Sequence, residues 1–125
     1  MPEPAKSQRE LQSLFVVYLG QLIRYATERG YSLTLGEGFV QTPRKTRGGY
    51  FTHDGVHMPK SLHYERLAQD LNLFVDNEYV TSGEHFAWVD LGGFWEGLAP
   101  GVTRWGGRFK NHDANHFSVE WQGRA

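Results

Sequence analysis

The sequence predicts a small α+β domain whose antiparallel sheet is flanked by helices. Three observations carry that expectation. A helical period of apolar side chains runs over residues 7–29, strand-like alternation recurs in the middle of the chain, and NHFSVEW closes it as a last strand. At 125 residues the chain is one domain, 1–125, with its core over about 7–121. The expected order is helix, strand, loop, strands, helix, strand, with no internal repeat.

The helix comes first. Ser7 and Glu10 form an S-x-x-E capping box, and Leu11, Leu14, Phe15, Tyr18, Leu22 and Ile23, with Tyr25 or Ala26, recur at helical spacing. Gly30 ends it, because glycine takes the left-handed conformation at little cost. Tyr31, Leu33 and Leu35 then alternate as a strand with one buried face does. Residues 41–61, QTPRKTRGGYFTHDGVHMPKS, hold Pro, Gly and basic side chains without a period, and loops of that length are usually functional or mobile. Alternation returns with Leu67, Leu71, Leu73 and Val75 on one face and Ala68, Asp70 and Asn72 on the other. VDNEYV reads as a tight hairpin turn. Asp90 is expected to cap a short helix through LGGFWEGL, and Gly and Pro punctuate residues 97–107.

Composition narrows the chemistry. Thirteen basic and 14 acidic residues leave a net charge of −1, which speaks against general nucleic-acid binding. The absence of cysteine excludes a disulfide framework, a thiolate zinc site and a cysteine nucleophile. A metal site must then use His, Asp and Glu, and six histidines are present. MPEPAKSQRE is polar and the first apolar run, LFVVYL, is too short for a signal peptide or a membrane span. The expectation is a monomeric chain made soluble in the cytoplasm, without membrane insertion.

SLHYERLAQDLNLF, residues 61–74, sets His63 and Asp70 seven positions apart. On one helix they would share a face but stand roughly 10 Å apart along the axis. Ligands of one zinc ion each sit about 2.0–2.2 Å from it, so the chain must reverse between them if both are ligands. YERLAQ makes one turn or a short helical piece, and Asp70 enters a strand on the face the leucines leave free. Taken alone, the pair reads more simply as a surface histidine and a solvated aspartate.

A third ligand changes that balance. In WGGRFKNHDANHFSVEW, Asp113 and His116 form D-x-x-H just before the last strand. His116 at the strand start can reach a metal held by a neighbouring strand, and Asp113 on the incoming loop can sit beside it without ligating. A catalytic zinc keeps three protein ligands and one position for water, whose pKa it lowers to about 7. A free carboxylate then takes the proton and returns it to a leaving amine. Two His, one Asp and one free carboxylate therefore fit amide hydrolysis with zinc as cofactor. His112/His116 and His53/His57 are also four apart, but no Glu follows His112 and a glycine interrupts the second pair. Both fit polar surface or substrate contacts better than a primary metal pair.

These motifs resemble a family. SLHYERLAQDLNLF resembles the S-x-H-x6-D signature of zinc D,D-peptidases related to D-alanyl-D-alanine carboxypeptidases. RWGGRF followed by DANHF resembles that family's second signature, and GEGFVQTP, residues 36–43, its upstream strand and loop. The chain is most similar to the small L-alanyl-D-glutamate endopeptidases used as phage endolysins, over about residues 7–121. The resemblance implies a small α+β domain whose antiparallel sheet carries a zinc site. It implies His63, Asp70 and His116 as zinc ligands and Asp113 as catalytic acid/base. Ser61 and Trp105 match positions beside the cleft, where a helix cap and core packing are equally good readings. Relatives often place an Arg soon after GE, but Phe39-Val40-Gln41 stands here. Either Gln41 does a weaker version of that job or Arg44 or Arg47 reaches in, with Arg47 the candidate substrate-binding residue. Read plainly, PRKTR is a solvated basic loop; read sharply, it grips peptidoglycan carboxylates. Ser118 stands where relatives often have Glu.

The implied partner is the stem peptide of peptidoglycan, with cleavage of the L-Ala–D-Glu bond. Release to the wall would depend on a separate membrane-permeabilising protein, and no added wall-binding domain is expected. Two rivals stand beside this reading. One is a D-Ala-D-Ala carboxypeptidase or dipeptidase; the other is a non-enzymatic metal-containing module that binds the wall or a partner.

Overall fold

The computed structural model describes residues 6–39, 45–46, 49–50 and 62–125. Two helices and an antiparallel sheet make up the described fold, as the small α+β class requires. Helix α1 spans Gln8–Glu28, and its capping box is formed. Ser7 Oγ accepts the Glu10 N–H at 3.2 Å, and Glu10 Oε1 accepts the Ser7 N–H at 3.2 Å. Gly30, with φ +81°, turns the chain out of the helix in the left-handed region. Phe15, Leu22 and Ala26 are the buried residues of α1, and each large side chain so buried contributes about 1.5–3 kcal/mol. Phe15, Leu22 and Ala26 of the expected inner face are buried, whereas Ile23, at the edge of that stripe, is 40% exposed.

The main sheet runs β1 (Ser32–Leu35), β4 (Ala68–Val75), β7 (His116–Val119) and β6 (Thr103–Trp105), all antiparallel. Strands β2 (Lys45–Thr46) and β3 (Gly49–Tyr50) form a separate two-stranded ladder within the expected loop. Strand β5 (Glu78–Tyr79) pairs back onto β4. Asp76 and Asn77, with φ of 52° and 64°, make the tight turn between them, as VDNEYV foretells. Strand β6 was not expected: three residues among Gly and Pro are too few to show alternation.

Helix α2 spans Phe86–Leu98, and His85, not Asp90, caps it by accepting the Ala87 N–H at 3.0 Å. The helix begins a turn earlier than the apolar run LGGFWEGL implies, which places Asp90 inside it. The helices cover the sheet face that carries Leu71, Leu73, Phe117 and Val119, all fully buried. Trp95 of α2 meets the rings of Phe15 and Phe117 edge-on at 5.8 and 5.7 Å. Its Nε1–H is shared between the carbonyls of Arg104 and Ser118, so one indole pins β6 and β7 to the helix. Among the described residues, no helix is long and apolar enough to cross a membrane.

Candidate metal centre

The face of β4 and β7 opposite the helices carries Asp70 and His116, because strand side chains alternate. They are direct cross-strand partners. Asp70 donates its N–H to Glu37 O at 2.6 Å and accepts the Gly36 N–H at 2.8 Å, so both its backbone groups point away from β7. The Asp70–His116 pair is therefore non-hydrogen-bonded, the kind that brings side chains closest.

His63 reaches the same place by the reversal the spacing demands. A 3₁₀ turn covers Leu62–Glu65, and Arg66, with φ +56°, bends the chain back into β4. His63 Nε2 then lies 3.3 Å from Asp70 Oδ1, and His116 Nδ1 lies 3.4 Å from the same oxygen. Both histidines are buried, at 4% and 6% exposure. The Gly38 carbonyl meets His63 Nδ1 at 2.8 Å. A carbonyl only accepts, so Nδ1 carries the proton and Nε2 keeps its lone pair toward Asp70.

The donors fit a divalent cation. One ligand atom from each of His63, Asp70 and His116 lies within 4.8 Å of the others. Two tetrahedral zinc ligands stand about 3.4 Å apart, which is the spacing of the two histidine nitrogens from Asp70 Oδ1. Neither contact is aligned as a hydrogen bond: Asp70 Oδ1 and His116 Nε2 are buried without a hydrogen-bond partner. Orphaned buried atoms are costly in a protein interior, and a shared cation removes the cost at Asp70. Two imidazoles and one carboxylate leave a coordination position open.

Electrostatics separate the two aspartates of the site. Burial pushes the Asp70 carboxyl up, but the imidazoles of His116 and His63 outweigh it and bring it down to about 2. Burial lowers His63, yet the Asp70 carboxylate and the Gly38 carbonyl prevail and raise it. Asp113 moves the other way. Its burial and the neighbouring Asp70 charge raise its carboxyl against the opposing pull of His116 and His63.

The loop that carries Asp113 is held from behind. Trp105 Nε1–H donates to Ala114 O at 2.7 Å, and Asp113 N–H donates to Gly106 O at 2.8 Å. A Cβ on Gly106 would stand 2.1 Å from Asp113 O and 2.8 Å from His116 Cβ, so the WGG sequence is needed for this close approach. The Trp105 ring lies in the space a side chain would need at Gly92 or Gly107. Trp105 is 6% exposed, and its visible work is packing and holding the loop rather than lining a cleft.

The structure thus brings together His63, Asp70 and His116, with Asp113 within their electrostatic reach. His112 is set apart, exposed on the loop with Nδ1 3.4 Å from Gly107 O. Ser61, Arg47, Arg44, Gln41, His53 and His57 lie outside the described residues. The sequence reading missed the contribution of residues 36–38; the paired glycines of GEG were its available signal. Among family models and curated proteins, none matches this chain.

Proposed function

We propose that the chain is a zinc-dependent peptidase acting on the peptidoglycan stem peptide, cleaving its L-Ala–D-Glu amide. The observation that carries the reading is the convergence of His63, Asp70 and His116 on one point, with the Asp70 oxygen there left without a hydrogen bond. The motif resemblance supplies the substrate class. His63 through Nε2, Asp70 and His116 would hold the ion. When bound, zinc supplies a Lewis acid that polarises a carbonyl and lowers the pKa of water toward 7.

The other work falls to the protein. Asp113 takes a proton from the attacking water and delivers it to the departing amine nitrogen, so that acid and amine leave as separate products. Burial raises the Asp113 carboxyl, which favours its taking up a proton in the first half of the transfer and giving it back in the second. The 113–116 loop, fastened by Trp105 and Gly106, keeps the base in register with His116.

The test is mass spectrometry of peptides released from purified peptidoglycan by zinc-loaded and chelator-treated protein. Fragments that begin at D-Glu and vanish on chelation establish the endopeptidase. Loss of a terminal D-Ala assigns the carboxypeptidase instead. Folded, zinc-loaded protein that releases nothing from several wall types overturns the enzymatic reading.

A further inference from the structure

Residues 36–38 lie beside the metal centre without contributing a ligand, yet they touch two ligands. They hold Asp70 by its backbone and His63 by its ring. The Asp70 N–H goes to Glu37 O, the Gly36 N–H to Asp70 O, and the His63 Nδ1–H to Gly38 O. Regular β1–β4 pairing ends at Leu35↔Leu71, so the strand register alone does not fix Gly38. The Gln69 side chain fastens this stretch. Gln69 Nε2 donates to Gly36 O at 3.2 Å and to Asp70 O at 2.8 Å. Its Oε1 occupies the space beside Gly38, where a Cβ would come within 2.6 Å of it.

We propose that Gln69 is a positioning residue for the metal centre: its amide clamps residues 36–38 onto β4, and the clamped Gly38 carbonyl holds His63 as the Nδ1–H tautomer. The inference rests on the metal-site part of the reading above and not on the scissile bond. It also explains both glycines. Gly36 runs close along the Asp70 backbone, where a Cβ would meet Asp70 O at 3.1 Å, and Gly38 leaves room for the Gln69 amide. A ligating imidazole has its tautomer and orientation set by the partner of its other nitrogen. Releasing that partner lets the ring turn and puts the proton on Nε2 in part of the population, where it blocks the metal.

Gln69→Met keeps the length of the stem and removes the amide. Gly38→Ala leaves Gln69 in place but drives its amide out of its seat. Each is expected to lower zinc affinity about 10–100-fold, the usual effect of losing an outer partner of a metal-bound histidine. Because both act on one clamp, the double variant is expected to bind zinc no more weakly than either single variant. Competition titration with a chromophoric chelator reads the affinity. Long-range ¹H–¹⁵N spectra of the metal-free proteins at alkaline pH read the His63 tautomer: Nδ1–H in the parent, mixed in both variants. Parent-like affinity and a pure Nδ1–H ring in Gln69→Met overturn the proposal, as do additive losses in the double variant. If the parent itself takes up no zinc, the metal-site reading fails, and the tautomer spectra alone still decide whether the clamp works on His63.

Discussion

Asp70 and Asp90 have nearly the same side-chain exposure, 17% and 20%, and both carboxyls are held below their ordinary range. They differ in what their oxygens meet. Asp90 Oδ1 accepts the Tyr25 hydroxyl at 2.5 Å, and Oδ2 accepts the Tyr31 hydroxyl at 2.6 Å and Arg29 Nε at 2.9 Å. It ties α2 to the end of α1 and to the entry of β1. Asp70 Oδ1 has two imidazole nitrogens at 3.3 and 3.4 Å and no aligned donor. Burial therefore does not tell a structural carboxylate from one kept for a ligand. The alignment of its donors does: Asp90 is saturated by the fold, and Asp70 is left short by one partner.

The largest effect expected from breaking this contrast is at Asp70. Asp70→Asn should weaken zinc binding by more than about 100-fold, beyond the range of an outer-partner change, and abolish turnover with it. Asp113→Asn should cut kcat by about 10²–10⁴-fold, the usual share of a general acid/base, while zinc affinity stays at the parent level. A metal titration run beside the peptidoglycan assay separates the two variants; joint loss of metal and activity in Asp113→Asn would make it a ligand and not a base. The metal-free Asp113→Asn protein should also unfold at higher urea at neutral pH. A carboxyl raised by burial costs stability once it is ionised.

Next in size is Asp90→Asn, expected to cost about 1–3 kcal/mol of folding stability by weakening charged hydrogen bonds. Urea midpoints measure it, and zinc affinity should not move. A change in zinc affinity there would mean that the two aspartates are coupled through the sheet, and the contrast drawn between them would fail.

Asp70 was legible in the sequence and Asp90 was not, for a physical reason. The reversal between His63 and Asp70 follows from helix rise and metal–ligand distance within eight residues. His116 follows from a short motif at a strand start. The capping box of α1 is a local signal too, and it is formed as read. Asp90 finds Tyr25, Arg29 and Tyr31 about 60 residues away, contacts that no local pattern encodes. Its position ahead of LGGFWEGL imitates a cap, while the real cap is a histidine, His85, outside the usual capping residues. Residues 36–38 are half legible: the GEG motif stands out in the sequence, but the Gly38 carbonyl is a backbone group, and its value as a partner for His63 appears only once β4 has folded against it.

The smallest expected effect is also the sharpest test of the contrast, because it depends on pH. In metal-free protein both aspartates are lowered, so both contribute stability above the ordinary carboxyl pKa of 3.8 that is lost as pH falls through their folded values. The acid limb does not tell them apart. The alkaline limb does. His63 is raised above its ordinary 6.5, so its pairing with Asp70 stabilises fully below that value and fades as pH rises through the folded one. Asp90 leans on Arg29 and two tyrosines, which keep their protons there. Urea midpoints in chelator should therefore fall gently from about pH 6 to 8, a slope that Asp70→Asn flattens and Asp90→Asn leaves intact. Zinc should reverse the trend, because its ligands must shed their protons to bind, so the stabilisation it gives grows over the same window. An Asp90→Asn protein that loses the slope, or zinc that stabilises equally at both ends of it, would place the titrating group elsewhere and remove the distinction between the two carboxylates.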